Sequence, residues 1–344
     1  MAKKIRIAPE GTTTWATLPG SSGDFGITAE TLDDTIFGQE YKSEQPDILT
    51  WTISTNAIYK GFGGYQAVIK KTGSAQAFTT EAMSQEAGQI YRIDDATKEI
   101  WDVTAAITVF DNAVDQTAEV ESIDYLYGRV TFKNTYTVTG PVTVTGSSLP
   151  STQICSMNTF TLSQQAETND VTDLCVAQSN GGFRQYETGL RSVSLELSGF
   201  YKLSNDFLNT LKARELVIIE LNPDGNDKSK GRGFFKPTAN SQSGNVGATE
   251  EESITYTLNV PDKDDRLSYP FSWDHVIDTT LNTAVQTLLT AWQQGDGIEV
   301  RYLEDGVTGK QGSAIPTDLS LSGGLGSLSQ FTVNLQGSGG ITVI

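Results

Sequence analysis

The chain has 344 residues, 37% hydrophobic and only 19% charged, and its 24 Lys plus Arg stand against 42 Asp plus Glu for a net charge of -18. That length allows two or three domains with substantial cores, while an acidic average surface repels phosphate and argues against a conventional nucleic-acid binder. No run approaches the ~20 apolar residues of a membrane helix, and the opening Met1-Ala-Lys-Lys-Ile-Arg-Ile lacks the apolar core of a signal peptide, so a soluble protein made in a cytoplasm is expected.

Taken in chain order, the first clear element is a strand over residues 50–59, where Trp51, Ile53 and Thr55 share one side at period two. Strands are predicted at 89–93, 107–110, 129–132 and 142–144. Cys155 and Cys175 lie too far apart for a CxxC pair and are expected as reduced, small core residues. A second alternating strand spans 191–201, with Val193, Leu195 and Leu197 facing a core and Tyr201 extending that face. A helix over 205–213, opened by an Asn or Ser cap, leads to a strand at 216–221, and another strand follows at 254–260. The second helix covers 279–293, where Leu281, Val285, Leu288, Leu289 and Trp292 recur at helical spacing before the stop at Gly295. Strands at 298–303 and 331–335 close the chain. Thr, Ser, Gly, Gln and Asn between the apolar residues suit sheets and turns, so the fold class is mainly β.

An internal repeat appears in two pieces. Ile48-Leu-Thr-Trp-Thr-Ile-Ser-Thr-Asn-Ala-Ile-Tyr-Lys60 aligns with Leu190-Arg-Ser-Val-Ser-Leu-Glu-Leu-Ser-Gly-Phe-Tyr-Lys202, a shift of 142. The two helices then match each other, as do Asp224-Gly225 and Asp305-Gly306. Pro237-Thr-Ala-Asn-Ser-Gln-Ser-Gly244 matches Pro316-Thr-Asp-Leu-Ser-Leu-Ser-Gly323, and 254–258 matches 331–335, with shifts falling from 81 to 79 to 77. The expected organisation is a first unit split between 24–71 and 272–344, a complete second unit over 158–262, and a small inserted β-domain over 72–151. A rival parse completes the first unit locally and leaves the C-terminal part as a third.

Catalytic chemistry finds little footing. His275, the single histidine, stands beside Asp274 in Trp273-Asp-His-Val, but a base with no second His is expected to be a loop or packing residue. The acidic clusters Asp262-Lys-Asp-Asp265, Asp94-Asp95, Glu250-Glu-Glu252 and Asp224-Gly-Asn-Asp227 lack the ligand spacing of a calcium loop and read as surface turns. Gly231-Arg-Gly233 and Gly323-Gly-Leu-Gly326 do not lead from a strand into a helix and are expected to be turns. No catalytic, cofactor-binding or metal-ligating residue is assigned, and no enzyme activity is expected.

The two-piece repeat and the acidic Thr/Ser/Gly-rich composition resemble the major tail tube proteins of siphophages, bacteriophages with long non-contractile tails. Tyr186-Glu-Thr-Gly-Leu-Arg-Ser-Val-Ser-Leu-Glu-Leu197 is similar to that family's long strand. Gly231-Arg-Gly-Phe-Phe, Ser241-Gln-Ser-Gly and Ser253-Ile-Thr-Tyr-Thr-Leu are similar to its closing strands. The resemblance implies two β-sandwich or barrel units, each flanked by one helix, in a virion protein that stacks as rings around a lumen conducting DNA during ejection. It implies as partners further copies of the chain, tape measure and tail-tip or terminator proteins, and DNA that passes without specific binding. Duplication within the chain then implies three chains per pseudo-hexameric ring, assembled in the host cytoplasm. A carbohydrate-binding or adhesin-like β-sandwich, with Trp15, Trp101 or Trp292 as stacking platforms, is the alternative, and a hydrolase on a β-scaffold a third.

Overall fold

The computed structural model describes residues 3–36, 41–201, 207–223, 225, 229–244, 249–261, 266–275 and 283–344, and for residues 58–64, 229 and 275 it describes the backbone alone. The chain is mainly β, as its period-two patterning predicts. It opens on β1 (Lys4–Pro9), β2 (Ala16–Thr17), β3 (Gly20–Asp33), β4 (Glu44–Gly63) and β5 (Val68–Thr72). Seven strands follow: β6 (Gln76–Ala87), β7 (Ile90–Ile93), β8 (Thr108–Asp111), β9 (Val114–Asp115), β10 (Val120–Asp124), β11 (Arg129–Phe132) and β12 (Val142–Ser148). Next come β13 (Ser151–Gln153), β14 (Met157–Asp170), α1 (Leu174–Ser179), β15 (Tyr186–Phe200) and α2 (Phe207–Ala213). The chain closes with β16 (Val217–Asn222), β17 (Ser229–Ser243), β18 (Glu251–Leu258), β19 (Phe271–His275), α3 (Thr283–Gln294), β20 (Ile298–Leu303), β21 (Gly309–Gly324) and β22 (Leu328–Val343).

Two compact units divide the chain: unit one is Met1–Tyr65, Thr159–Leu195 and Ile277–Ile344, and unit two is Gln66–Asn158 and Glu196–Val276. In unit one the antiparallel order is β3-β4-β22-β21-β20-β1-β2, with β14 also on β21. Alternation along β4 buries Trp51, Ile53 and Thr55 and exposes the residues between them, and on β21 and β22 it buries Leu319, Leu321, Phe331, Val333 and Leu335 and leaves the residues between them half-buried. Helix α3 lies on β1, β2 and β21, and its buried Val285, Leu288, Leu289 and Trp292 are the predicted stripe. Its predicted start, including Leu281, lies outside the described residues, and Gly295 ends it at φ +83°, where a side chain is strained.

In unit two, whose share of β15 is residues 196–200, the order is β15-β18-β17-β16-β5-β13, with β19 on β17. Residues 76–148 form a separate seven-stranded sheet, β10-β11-β7-β6-β12-β8-β9. Its core of Trp101, Val109, Leu126, Tyr127, Val130, Phe132 and Val144 takes in Ile218 and Phe234 from β16 and β17. Leu195 and Leu197 on β15 are buried as expected, whereas Tyr201 is only half-buried.

The two strand orders are one pattern: β4-β22-β21-β20-β1-β2 in unit one matches β15-β18-β17-β16-β5-β13, with α3 before β20 as α2 stands before β16. The match extends to a defect. The ladder between β17 and β18 slips between Pro237 and Ala239, and that between β21 and β22 slips between Pro316 and Asp318, positions 79 residues apart in both cases.

Three expectations are corrected. Gly231-Arg-Gly233 is not a turn but part of the first half of β17: a Cβ on Gly231 would meet the Trp273 ring at 3.0 Å and one on Gly233 would meet Phe235 and Phe271 at 2.8 Å, so aromatic packing demands the glycines. Cys155 and Cys175 are free but exposed, not core residues. A third, short helix, α1, was not expected; Asp173 caps it by accepting from the Val176 N–H at 2.7 Å.

Candidate assembly surface

Asp274, Asp95 and Glu252, raised by sequence as chemical candidates, take structural roles. Asp274 is buried and paired with Arg129 at 2.6 Å and Arg92 at 3.0 Å; burial pushes its pKa up, but the two guanidiniums more than offset this and leave it below the usual carboxylate range. The side chain of His275 lies outside the described residues. Asp95 caps a turn by accepting from the Thr97 N–H and hydroxyl, and Glu252 is buried, accepting from Asn240 at 2.9 Å. The clusters at 262–265 and 224–227 fall outside the described residues apart from Gly225. Among the described residues no group of three His, Cys, Asp or Glu side chains could hold a metal ion, and no helix is long and apolar enough to cross a membrane. Trp101 and Trp292 are buried and offer no stacking face, and Trp15 is half-buried with the Arg301 guanidinium 4.0 Å from its ring centroid. An open groove of about 610 Å³ beside α3 is lined by Glu10, Gln286, Thr290, Gln294 and Asp296 and holds no nucleophile paired with a base.

What the fold does present is strand edge. Strand β3, 14 residues long, pairs only with β4, from Gly20 opposite Ala57 to Asp33 opposite Glu44, and its other edge has no neighbouring strand among the described residues. Phe25 turns inward onto Trp51 and Tyr302, with ring centroids 6.0 and 5.5 Å apart, while Ile27 and Leu32 are about half exposed, at 48% and 57%. Near the end of β3, Glu30 pairs with Arg184 at 2.6 Å, and Arg184 also holds Asp170.

A second open edge follows from register. Phe235 of β17 faces Val217 of β16 on one side and Leu258 of β18 on the other, so β16 and β18 hold opposite edges. The β16 pairing stops at Phe235, while β18 continues to Ser243. From Lys236 to Ser243 the β16-side edge of β17 therefore has no strand on it among the described residues, and Thr238, Ala239 and Ser241 to Ser243 are exposed. In unit one the equivalent edge of β21 is filled. Strand β22 holds one edge of β21 from Lys310 to Ser322, so β20 at 309–314 and β14 at 318–324 share the other. Sequence reasoning missed both open edges because β3 and the distal half of β17 are rich in Gly, Ser, Thr and Asn; the one signal was the Pro-Thr-x-x-Ser-x-Ser-Gly match.

No known protein-family profile matches the chain, and no curated protein matches it. Among solved structures, a chain of the "Virion of native gene transfer agent (GTA) particle" is 22% identical, covering 32% of this chain and 85% of that one at a TM-score of 0.29. A chain of the "Tail of empty GTA particle computed with helical refinement, C6 symmetry" is likewise 22% identical, covering 33% and 84% at a TM-score of 0.29. Overlaps of this size assign no role to the chain.

Proposed function

We propose that the chain is a virion structural protein of the tail-tube kind, whose two copies of one β-pattern occupy successive positions in a ring. The observation that carries this reading is the repeated strand order, bulge included. In this reading three chains make a pseudo-hexameric ring, rings stack into a tube, and residues 72–151 are a small domain inserted in the second copy. The neighbours of such a tube are tape measure, tail-tip and terminator proteins, and DNA crosses its lumen without being gripped. The charge of -18 fits that last role, because an acidic wall repels duplex phosphate within the ~8 Å reach set by physiological salt. The role is architectural, not catalytic.

Electron microscopy and native mass spectrometry of the purified chain test the proposal. Hollow filaments or rings containing three chains are the expected result. A strict monomer at high concentration, or six chains per ring, overturns it.

A further inference from the structure

We infer that the open edge of β3 in one chain adds, antiparallel, to the open edge of β17 in a second copy of the same chain, with Asp24 opposite Ser243, Gly26 opposite Ser241 and Thr28 opposite Ala239. The inference rests on the assembly reading above and names its contact surface.

The template is inside the molecule. Within unit one, β14 lies antiparallel on β21 over seven consecutive partners, Thr159 opposite Gly324 through Gln165 opposite Asp318. Strand β14 precedes β15 as β3 precedes β4, and β21 corresponds to β17. The chain thus holds two donors, β3 and β14, and two acceptors, β17 and β21, and joins one of each. Among the described residues one donor and one acceptor remain open.

Two matches fix the register. Ala29-Glu-Thr31 on β3 repeats as Ala166-Glu-Thr168 on β14, a shift of 137, which places Phe25 at the position of buried Leu162 and keeps inward residues inward. Pro237 repeats as Pro316, a shift of 79, and the shared bulge shows that no residue is gained or lost there. Applying both shifts to Thr161 opposite Ser322 gives Asp24 opposite Ser243, and applying them to Gln165 opposite Asp318 gives Thr28 opposite Ala239. Asp24 is the one charged residue among 24–28 and 239–243, and it faces Ser243, so the ladder can form without setting charge against charge. Donor and acceptor are different surfaces, so the contact is head-to-tail. Made one way round, such a contact closes into a ring or runs on as a filament; only a reciprocal exchange of β3 between two chains would close it as a two-fold dimer.

The test uses the full chain with Cys155 and Cys175 replaced by Ser. Partners across an antiparallel ladder lie about 4.5 to 5.5 Å apart at Cα, within disulfide range. Mild oxidation of a mixture of D24C and S243C chains should give covalent dimers, neither variant alone should, and the double variant should give a ladder ending in closed rings. Moving one cysteine two residues, to S241C, should largely abolish the cross-link. Microscopy on the same samples separates the two ideas. Rings or tubes without this cross-link overturn the edge assignment and leave the assembly reading standing, whereas absence of any assembly overturns both. Dimers of D24C with itself would show β3 pairing with β3 and also overturn the inference.

Discussion

One row of side chains, crossing three neighbouring strands, occurs in both units and is built from different chemistry in each. In unit two it runs Lys70, Glu220, Arg232; in unit one the same register gives Arg6, Arg301, Gln311. Arg232 and Glu220 are almost completely buried, at 2% and 1% exposure. The Arg232 guanidinium donates to Glu220 at 2.7 Å, to the Leu126 carbonyl at 2.7 Å and to Glu99, and stacks 4.8 Å from the Tyr127 ring. Lys70 reaches the other Glu220 oxygen at 2.8 Å. In unit one Arg301 is half-buried, donates to Gln311 at 2.8 Å and lies against Trp15. The backbone is common to both, and the difference is what covers it. Glu99, Leu126 and Tyr127 come from the segment carrying the seven-stranded sheet, and they turn a surface row into an internal ion cluster. A buried charge of this kind is weak evidence of net stabilisation, yet every partner depends on the others.

The largest expected effect breaks that dependence. Arg232→Met leaves Glu220 and Glu99 buried without their shared cation and should destabilise unit two by about 3 to 5 kcal/mol. Hydrogen exchange of peptides from β16 and β17 should show the loss, and an effect below about 1 kcal/mol would mean that water enters the cluster freely.

Acid should sharpen the contrast. Burial alone would raise the pKa of Glu99, but the Arg232 charge and hydrogen bond, with Lys230 and Arg92, leave it below its ordinary value, as happens for Asp274 beside Arg129 and Arg92. Stability from such groups is complete above the unfolded values of about 4.3 and 3.9 and is lost as pH falls through the depressed folded ones. Asp124, raised by burial against the pull of Arg129, has the opposite sign and offsets part of the loss. In unit one Asp318 is also raised by burial, against its hydrogen bond from Asn334, while exposed Asp33 and half-buried Asp305 are lowered by hydrogen bonds from their own turns. Between pH 5 and 3, exchange protection corrected for intrinsic rates should therefore fall further in unit two. Arg232→Met should flatten that fall, and equal slopes in both units would contradict the account.

The smallest effect belongs to the counterpart row. Arg301→Ala should cost under about 1 kcal/mol, since a half-exposed cation leaves no buried charge behind. Exchange in β20 and β21 measures it, and a loss comparable to that of Arg232→Met would mean that the Trp15 stack is worth far more than an exposed cation–π contact.

Period-two runs such as Trp51-x-Ile53-x-Thr55 and Val193-x-Leu195-x-Leu197 were legible because a sheet face must alternate. The helix ending at Gln294 was legible because its stripe recurs at helical spacing. The repeat carried further still, since Pro237 and Pro316 mark the same kink in two strands. The 14 residues of β3 were not legible, because Gly20-Ser-Ser-Gly23 looks like a turn and the strand's apolar residues are partly exposed. The ion cluster was invisible for a different reason: Glu99 lies 133 residues from Arg232, and only folding brings a carboxylate from one segment onto a guanidinium from another. Cys155 was misplaced because cysteine is usually buried, whereas here it sits in a short connection after β13.

The glycines facing Trp51 act as a gauge for strand alignment. A Cβ on Gly337 would fall 2.1 Å from the indole and one on Gly312 would fall 2.8 Å from it, while the indole N–H donates to the Gly339 carbonyl at 3.0 Å. The slot admits a flat ring only because its walls have no side chains. Sliding β4 by one residue would turn Trp51 to the opposite face and bring Thr50 or Thr52 to the slot, leaving an unfilled gap and an indole in water. In a variant that keeps Trp51 as its single tryptophan, replacing Trp15, Trp101, Trp273 and Trp292, emission that is blue when the ring is seated and red when it is not makes the correct pairing of β4 with β22 a property that light can read.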